Sequence, residues 1–109
     1  MLGINCTDIH VSTGDSIMLT CNTSMENATQ ITWTKSGRTV FVYAVIIKRN
    51  SSNFTSDRVK IDLNSPLKLN VFNAQQNDTG LYTCTVSGTF IVKTTGWNLT
   101  VSEKVSPGR

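Results

Sequence analysis

"DTGLYTC" (residues 78–84) places an acid, a glycine, a tyrosine and a cysteine within seven positions. Asp78 and Gly80 suit a tight turn, and Leu81, Tyr82 and Cys84 suit a buried strand. Tyr82 stands two residues before Cys84, so an extended backbone sends both side chains to one face. What that face packs against depends on where a second cysteine and a tryptophan lie.

Outward from this stretch, apolar residues keep a period of two between short breaks of Gly, Asn, Asp or Ser. Ile9 and Val11 alternate around His10. Ile17, Leu19 and Cys21 point one way while Ser16, Met18, Thr20 and Asn22 point the other. Ile31 and Trp33 alternate with Thr32 and Thr34 up to a turn at Ser36-Gly37-Arg38. Val59, Ile61 and Leu63 alternate with Arg58, Lys60 and Asp62, and Leu67, Leu69 and Val71 resume after Asn64-Ser65-Pro66. Tyr82, Cys84 and Val86 share a face, Ser87-Gly88-Thr89 makes a hairpin, and a last strand carries Ile91, Trp97, Leu99 and Val101. Residues 39–49 are apolar without clear alternation. No helical period runs over a useful length, so the pattern is all-β with two sheets.

A chain of 109 residues is one domain's worth. Its longest apolar run, "VFVYAVII" (40–47), falls short of the ~18 residues of a membrane span. No basic start, apolar core and cleavage site mark a signal peptide, so Met1 is expected to open a trimmed ectodomain. Asn-X-Ser/Thr sequons stand at Asn5, Asn22, Asn27, Asn50, Asn53, Asn77 and Asn98. Seven acceptors in so short a chain point to the secretory pathway. An extracellular location is therefore expected, with membrane attachment through a segment outside this chain.

Cys21 and Cys84 lie on the inward faces of two marked strands, and Trp33 follows the first cysteine by twelve residues. This arrangement resembles an immunoglobulin domain, in which an inter-sheet disulfide packs against a buried indole. The resemblance implies a Cys21–Cys84 bridge, and closing so long a loop stabilises the fold by roughly 4 kcal/mol through lost chain entropy. Tyr82 then fits the tyrosine corner, and Trp33, Tyr82, Leu19 and Leu69 form the expected core. Residues 11–101 resemble the variable-type (V-set) domains in particular. That likeness implies an Arg58–Asp78 salt bridge, two extra edge strands from 39–49, and a last strand "TGWNLTV" (95–101) with Gly96 as its bulge. Lys93 stands where antigen-receptor joining segments carry Phe, a departure from the antibody and T-cell-receptor pattern.

"NFTSDRVKIDLNSPLKLNVFNAQQNDTGLY" (53–82) with "LTVSEKVSPG" (99–108) is similar to the first domain of lymphocyte adhesion receptors, the signalling lymphocytic activation molecules and their relatives. Those first domains usually lack the disulfide implied here, and nectin-like and novel immune-type receptors stay open as alternatives. The implied organisation is a V-set domain over 1–103 and the start of a linker over 104–109. Cys6 is left over, either as a free thiol or as a bridge to a second domain or chain.

Chemistry has little to work with. The one histidine, His10, is expected on an exposed edge strand, with no nucleophile and orienting acid to form a triad. His10 and Cys6 are too few for zinc. No phosphate loop or acidic metal loop is present, so no cofactor, no metal and no catalytic residue is expected, and the chain reads as a non-enzyme.

The acids instead point to a binding face. Residues 27–55 and 79–102 contain no Asp or Glu, yet hold Lys35, Arg38, Lys48, Arg49 and Lys93; the formal charge is +3. In V-set domains the front sheet is the usual contact surface, and here it covers 30–49 and 81–101. A basic front face would steer an acidic partner and disfavour self-pairing of like charges. Lys35, Arg38, Phe41, Tyr43, Lys48, Phe90 and Lys93 are the expected partner contacts, the aromatics forming the centre.

The expected partner is a cell-surface protein with an acidic face, bound heterophilically by a monomer or weak dimer. Residues 85–87 offer no arginine for a sialic-acid carboxylate, and the compartment argues against nucleic acid. The sequence reads as the ligand-binding domain of an immune-type receptor or adhesion molecule. A soluble or viral decoy of the same fold and a polyanion-binding module are the alternatives.

Overall fold

The computed structural model describes residues 5–21, 28–45, 47–52, 58–62, 67–89 and 92–103. Nine strands are described: β1 (Asn5–Ser12), β2 (Ile17–Thr20), β3 (Ala28–Lys35), β4 (Arg38–Ala44), β5 (Arg49–Ser52), β6 (Val59–Ile61), β7 (Lys68–Val71), β8 (Gly80–Gly88) and β9 (Val92–Ser102). A 3-10 turn, Gln76–Asp78, precedes β8. The strands form a front sheet ordered β1-β9-β8-β3-β4-β5 and a back sheet ordered β2-β7-β6. β1 runs parallel to β9, and the other pairs are antiparallel.

The inward side chains of both sheets make the core. Leu19 and Cys21 from the β2 side meet Leu69 and Val71 of β7, with Ile31, Trp33, Tyr82, Cys84, Leu99 and Val101 facing them from the front sheet. Cys21 and Cys84 form the inter-sheet disulfide, with Cα atoms 6.1 Å apart. Trp33 is fully buried, and its ring stacks on Trp97 with centroids 5.5 Å apart and planes 12° from parallel. The second indole extends the core beyond the single expected tryptophan, and such pairs add about 1 kcal/mol beyond area burial.

The bottom of the sandwich is closed by a polar lock. Arg58 Nη2 lies 3.0 Å from both carboxylate oxygens of Asp78. Asp78 Oδ2 accepts the Gln75 N–H at 2.8 Å, and the Tyr82 hydroxyl donates to the Asp78 carbonyl at 2.6 Å. Asp78 is buried, so its two charge-assisted partners replace the water it loses. Burial pushes the Tyr82 hydroxyl well above its ordinary pKa, the Asp78 charge pushes the same way, and Arg58 partly opposes both.

Three expectations change. The register between β3 and β4 shifts between Trp33 and Thr34, so the consecutive residues Val40 and Phe41 are both buried. This bulge explains why 39–49 shows no alternation. The two extra edge strands are β4 and β5, and the second begins only at Arg49. Gly96 is not a bulge: it sits in unbroken register opposite Thr83 on one side and Cys6 on the other. Leu63, Phe90, Ile91 and the expected linker 104–109 lie outside the described residues.

Candidate functional site

Residues directly opposite each other in a sheet project to the same face, so the register assigns the outward side of the front sheet row by row. With Trp33 and Cys84 inward, the adjacent row Ser51, Val42, Thr32, Thr85 and Thr94 points out. Below it come Thr34, Thr83, Gly96 and Cys6, then Leu81, Asn98 and Asp8. Above it runs Arg49, Ala44, Gln30, Ser87 and Val92.

The middle of this face is threonine. Thr34 and Thr83 share a hydrogen bond, Thr85 and Thr94 another at 3.0 Å, and Gln30 donates to Thr32 at 3.0 Å. β-branched hydroxyl side chains suit a pleated, half-buried surface and satisfy one another across strands. The centre is therefore uncharged and polar, where a basic face was expected.

The cations sit at the two ends. At the bottom, Lys35 shares the parity of Trp33 and donates to the Asn77 carbonyl at 2.7 Å, with its ammonium 5.9 Å from the Tyr82 ring centroid. Arg38 is exposed beside it across the turn. Lys35, Ser36, Arg38, Val40 and Thr79 line an open cleft of about 290 Å³. At the top, Lys48 occupies the β4–β5 turn and Lys93 the start of β9, both exposed.

Two of the three expected aromatic contacts do not reach the outward face. Phe41 is buried at 2% exposure, and Tyr43, opposite Ile31, packs against the core. Both sit on the inward side because the bulge resets the phase of β4. Phe90 lies outside the described residues.

The charge segregation seen along the sequence is also incomplete in space. β1 joins the front sheet, and its Asp8 lies beside Asn98, whose Nδ2 donates to Asp8 Oδ1 at 3.1 Å. His10 is exposed on the same edge strand, and Cys6 is a free, exposed thiol on it. Lys60 and Lys68 lie on the outward side of the back sheet near Met18 and Asn70.

The sequons distribute unevenly. Asn98 is exposed on the lower front face, and Asn77 is exposed in the 3-10 turn, its Oδ1 accepting from Arg58 Nη2 at 3.2 Å. Asn50 is exposed on β5, an edge strand of the front sheet. The Asn5 side chain, Asn22, Asn27 and Asn53 lie outside the described residues. Among the described residues no three metal-binding side chains group together, and no helix is long and apolar enough to cross a membrane.

Sequence reasoning did not single out Ile47 and Val92 and counted Arg49 only among the cations; all three stand exposed at the upper end of the front sheet. The available signal was a repeated pattern at two chain reversals, apolar residues followed by cations: "VIIKR" (45–49) and "FIVK" (90–93).

A family model described as "Immunoglobulin V-set domain" matches residues 5–102. No curated protein sequence matches the chain. Among solved structures, the first Ig-like domain of human CD48 antigen superposes with a TM-score of 0.77 at 22% identity, covering 100% of this chain and 93% of that one. The extracellular portion of mouse CD200RLa gives 0.80 at 21%, covering 97% and 62%. The CD2-binding domain of CD58 gives 0.69 at 18%, covering 93% and 56%. Identities this low carry the fold and no more.

Proposed function

This chain belongs to the immunoglobulin V-set family, and we propose that it is the ligand-recognition domain of an immune-type cell-surface receptor or adhesion molecule. It docks a protein on another cell through the front-sheet side and catalyses nothing. The observation that carries this reading is the six-stranded sheet, whose outward face is uncharged and hydroxyl-rich at its centre, with Arg49 on its upper row and Asp8 on its lower one. Hydroxyl-rich, uncharged centres lose little on desolvation, while peripheral charges steer encounter. The sequons and the disulfide support an extracellular setting.

Recognition is heterophilic: a face-to-face two-fold pairing in which like ends overlap would set Arg49 against Arg49 and Asp8 against Asp8. The test is cell staining with the domain as a fluorescent multimer, before and after trypsin treatment of the cells. Trypsin-sensitive staining is expected. Staining indifferent to trypsin and removed by heparinase would replace this reading with polyanion binding, for which the Lys35–Arg38 cleft is the candidate. A concentration-dependent dimer in sedimentation velocity, abolished by Arg49→Glu, would overturn the heterophilic assignment.

A further inference from the structure

Among the described residues the two sheets end on four strands, β1 and β5 in front and β2 and β6 behind. An open edge offers its unpaired N–H and C=O groups to any strand that approaches, and charged side chains are a common protection against this. β1 carries Asp8, β5 carries Arg49, and β6 carries Lys60, with Arg58 and Asp62 just outside it. β2 reads "IMLT" (17–20), without a charge, a proline or a glycine, and its register with β7 is unbroken. It is the one described edge that lacks such protection.

The free side of β2 follows from one bond. Cys21 N–H donates to the Leu67 carbonyl at 2.9 Å, so Ile17 and Leu19, which share its parity, also turn their backbone groups to β7. Met18 and Thr20 therefore turn theirs to the open edge. Their side chains point away from the core and both are exposed, Met18 at 53%. Ile17 packs on the core yet stays only partly buried at this edge.

We infer that β2 is a self-pairing edge: a second copy of this chain adds its own β2 antiparallel to the first, about a two-fold axis at Leu19. Met18 of each copy then opposes Thr20 of the other and exchanges both backbone bonds with it, which uses every outward-turned group of the strand. Opposite residues keep the same parity, so Leu19 meets Leu19 on the core side and Ile17 is covered beside Cys21. Two-fold symmetry demands an edge that tolerates itself, and this one does. Neither strand carries a charge. The nearest cation of the sheet, Lys68 opposite Thr20 on β7, stands two residues and three strand spacings from its counterpart. That is ~16 Å, beyond the ~8 Å screening length of physiological salt. The front face takes no part, so this self-pairing goes beyond the recognition reading and does not depend on it. The contact is small, so the dimer is weak and forms only at roughly 100 µM protein or above.

The test is sedimentation velocity of the protein secreted from mammalian cells with Cys6→Ser, over about 10 µM to 1 mM. Met18→Lys, Thr20→Lys and Arg49→Glu are compared with the parent, each checked for folding by circular dichroism. The parent and Arg49→Glu should show the same reversible dimer. Met18→Lys and Thr20→Lys should raise its dissociation constant about tenfold or more, because each sets two cations on adjoining strands. Register is read by mixing Met18→Cys with Thr20→Cys under mild oxidation. The mixed disulfide should form, since opposed Cα atoms lie about 5.5 Å apart, and neither variant alone should bridge, its Cα atoms being ~8 Å apart. A parent that stays monomeric throughout overturns the inference, and so does a dimer that Met18→Lys leaves intact. A monomeric parent whose Met18→Lys variant stains cells less would assign the edge to a strand of another protein and overturn self-pairing.

Discussion

Replacing Asp78 with Ala removes the centre of the lock at the bottom of the sandwich. Its carboxylate holds the Arg58 guanidinium at 3.0 Å and the Gln75 N–H at 2.8 Å, and its side chain is 3% exposed. Leaving the Gln75 N–H without its acceptor costs about 1–2 kcal/mol. Stranding Arg58 costs less than the 3–5 kcal/mol of a fully buried pair, about 1–2 kcal/mol, because Arg58 keeps 26% of its surface in water and can rehydrate. The sum is about 3 kcal/mol, a large share of the ~5–15 kcal/mol that holds an average domain together. A chain of this length should then melt roughly 12–24 °C lower.

The assay is urea denaturation of the disulfide-intact protein as a double-mutant cycle with Arg58→Met, which keeps most of the stem volume. A coupling of about 1–2 kcal/mol is expected between the two sites. A coupling below about 0.5 kcal/mol would mean that Arg58 is held by its other contacts, and the lock would not be an ionic one.

Tyr82→Phe should lower stability by about 1 kcal/mol at neutral pH through loss of the bond to the Asp78 carbonyl. Its alkaline behaviour is more diagnostic. The folded state raises the Tyr82 pKa, so the unfolded chain ionises first, and the contribution is complete below about pH 10 and lost as pH rises above it. Urea midpoints across that range should fall more steeply for the parent than for Tyr82→Phe; parallel curves would show that Tyr82 is not the titrating group. Removing both Cys21 and Cys84 as Ala should cost about 4 kcal/mol from the 63-residue separation alone, read as a shift in urea midpoint, and an unchanged midpoint would refute the loop-closure account. Gly37 has φ of +84°, and a β-carbon added there would meet nothing within 4 Å, so Gly37→Ala should cost roughly 1–2 kcal/mol through the backbone alone. Gly37→Asn should cost less in the same denaturation assay, and equal costs would point to a steric cause instead.

The core was legible because it rests on chemistry that a sequence displays directly. Cys21, Trp33, Tyr82 and Cys84 occupy strands whose alternation is regular, so residue type and parity together assign their faces. The Arg58–Asp78 pair was reached through the family likeness rather than through spacing, since the stretch between them carries no local sign of the contact.

The binding surface was less legible, for a definite reason. Period-two alternation predicts which residues share a face only while the register is unbroken, and the bulge at Trp33/Thr34 resets the phase of β4. Phe41 and Tyr43 consequently turn inward, and the aromatic centre expected of them vanishes. Charge segregation along the chain failed at the other edge, where β1 pairs with β9 and brings Asp8 to Asn98 across 90 residues.

The sequence by itself determined the two-sheet pattern and the inward faces of its regularly alternating strands, because burial there follows from side-chain chemistry and local period, and the family likeness supplied the disulfide partners. Only the tertiary structure decided which side chains share the outward face and which end of the sheet gathers Ile47, Val92 and their cations. That choice depends on strand order and register, which are set by pairings between distant segments and leave no trace in any one of them.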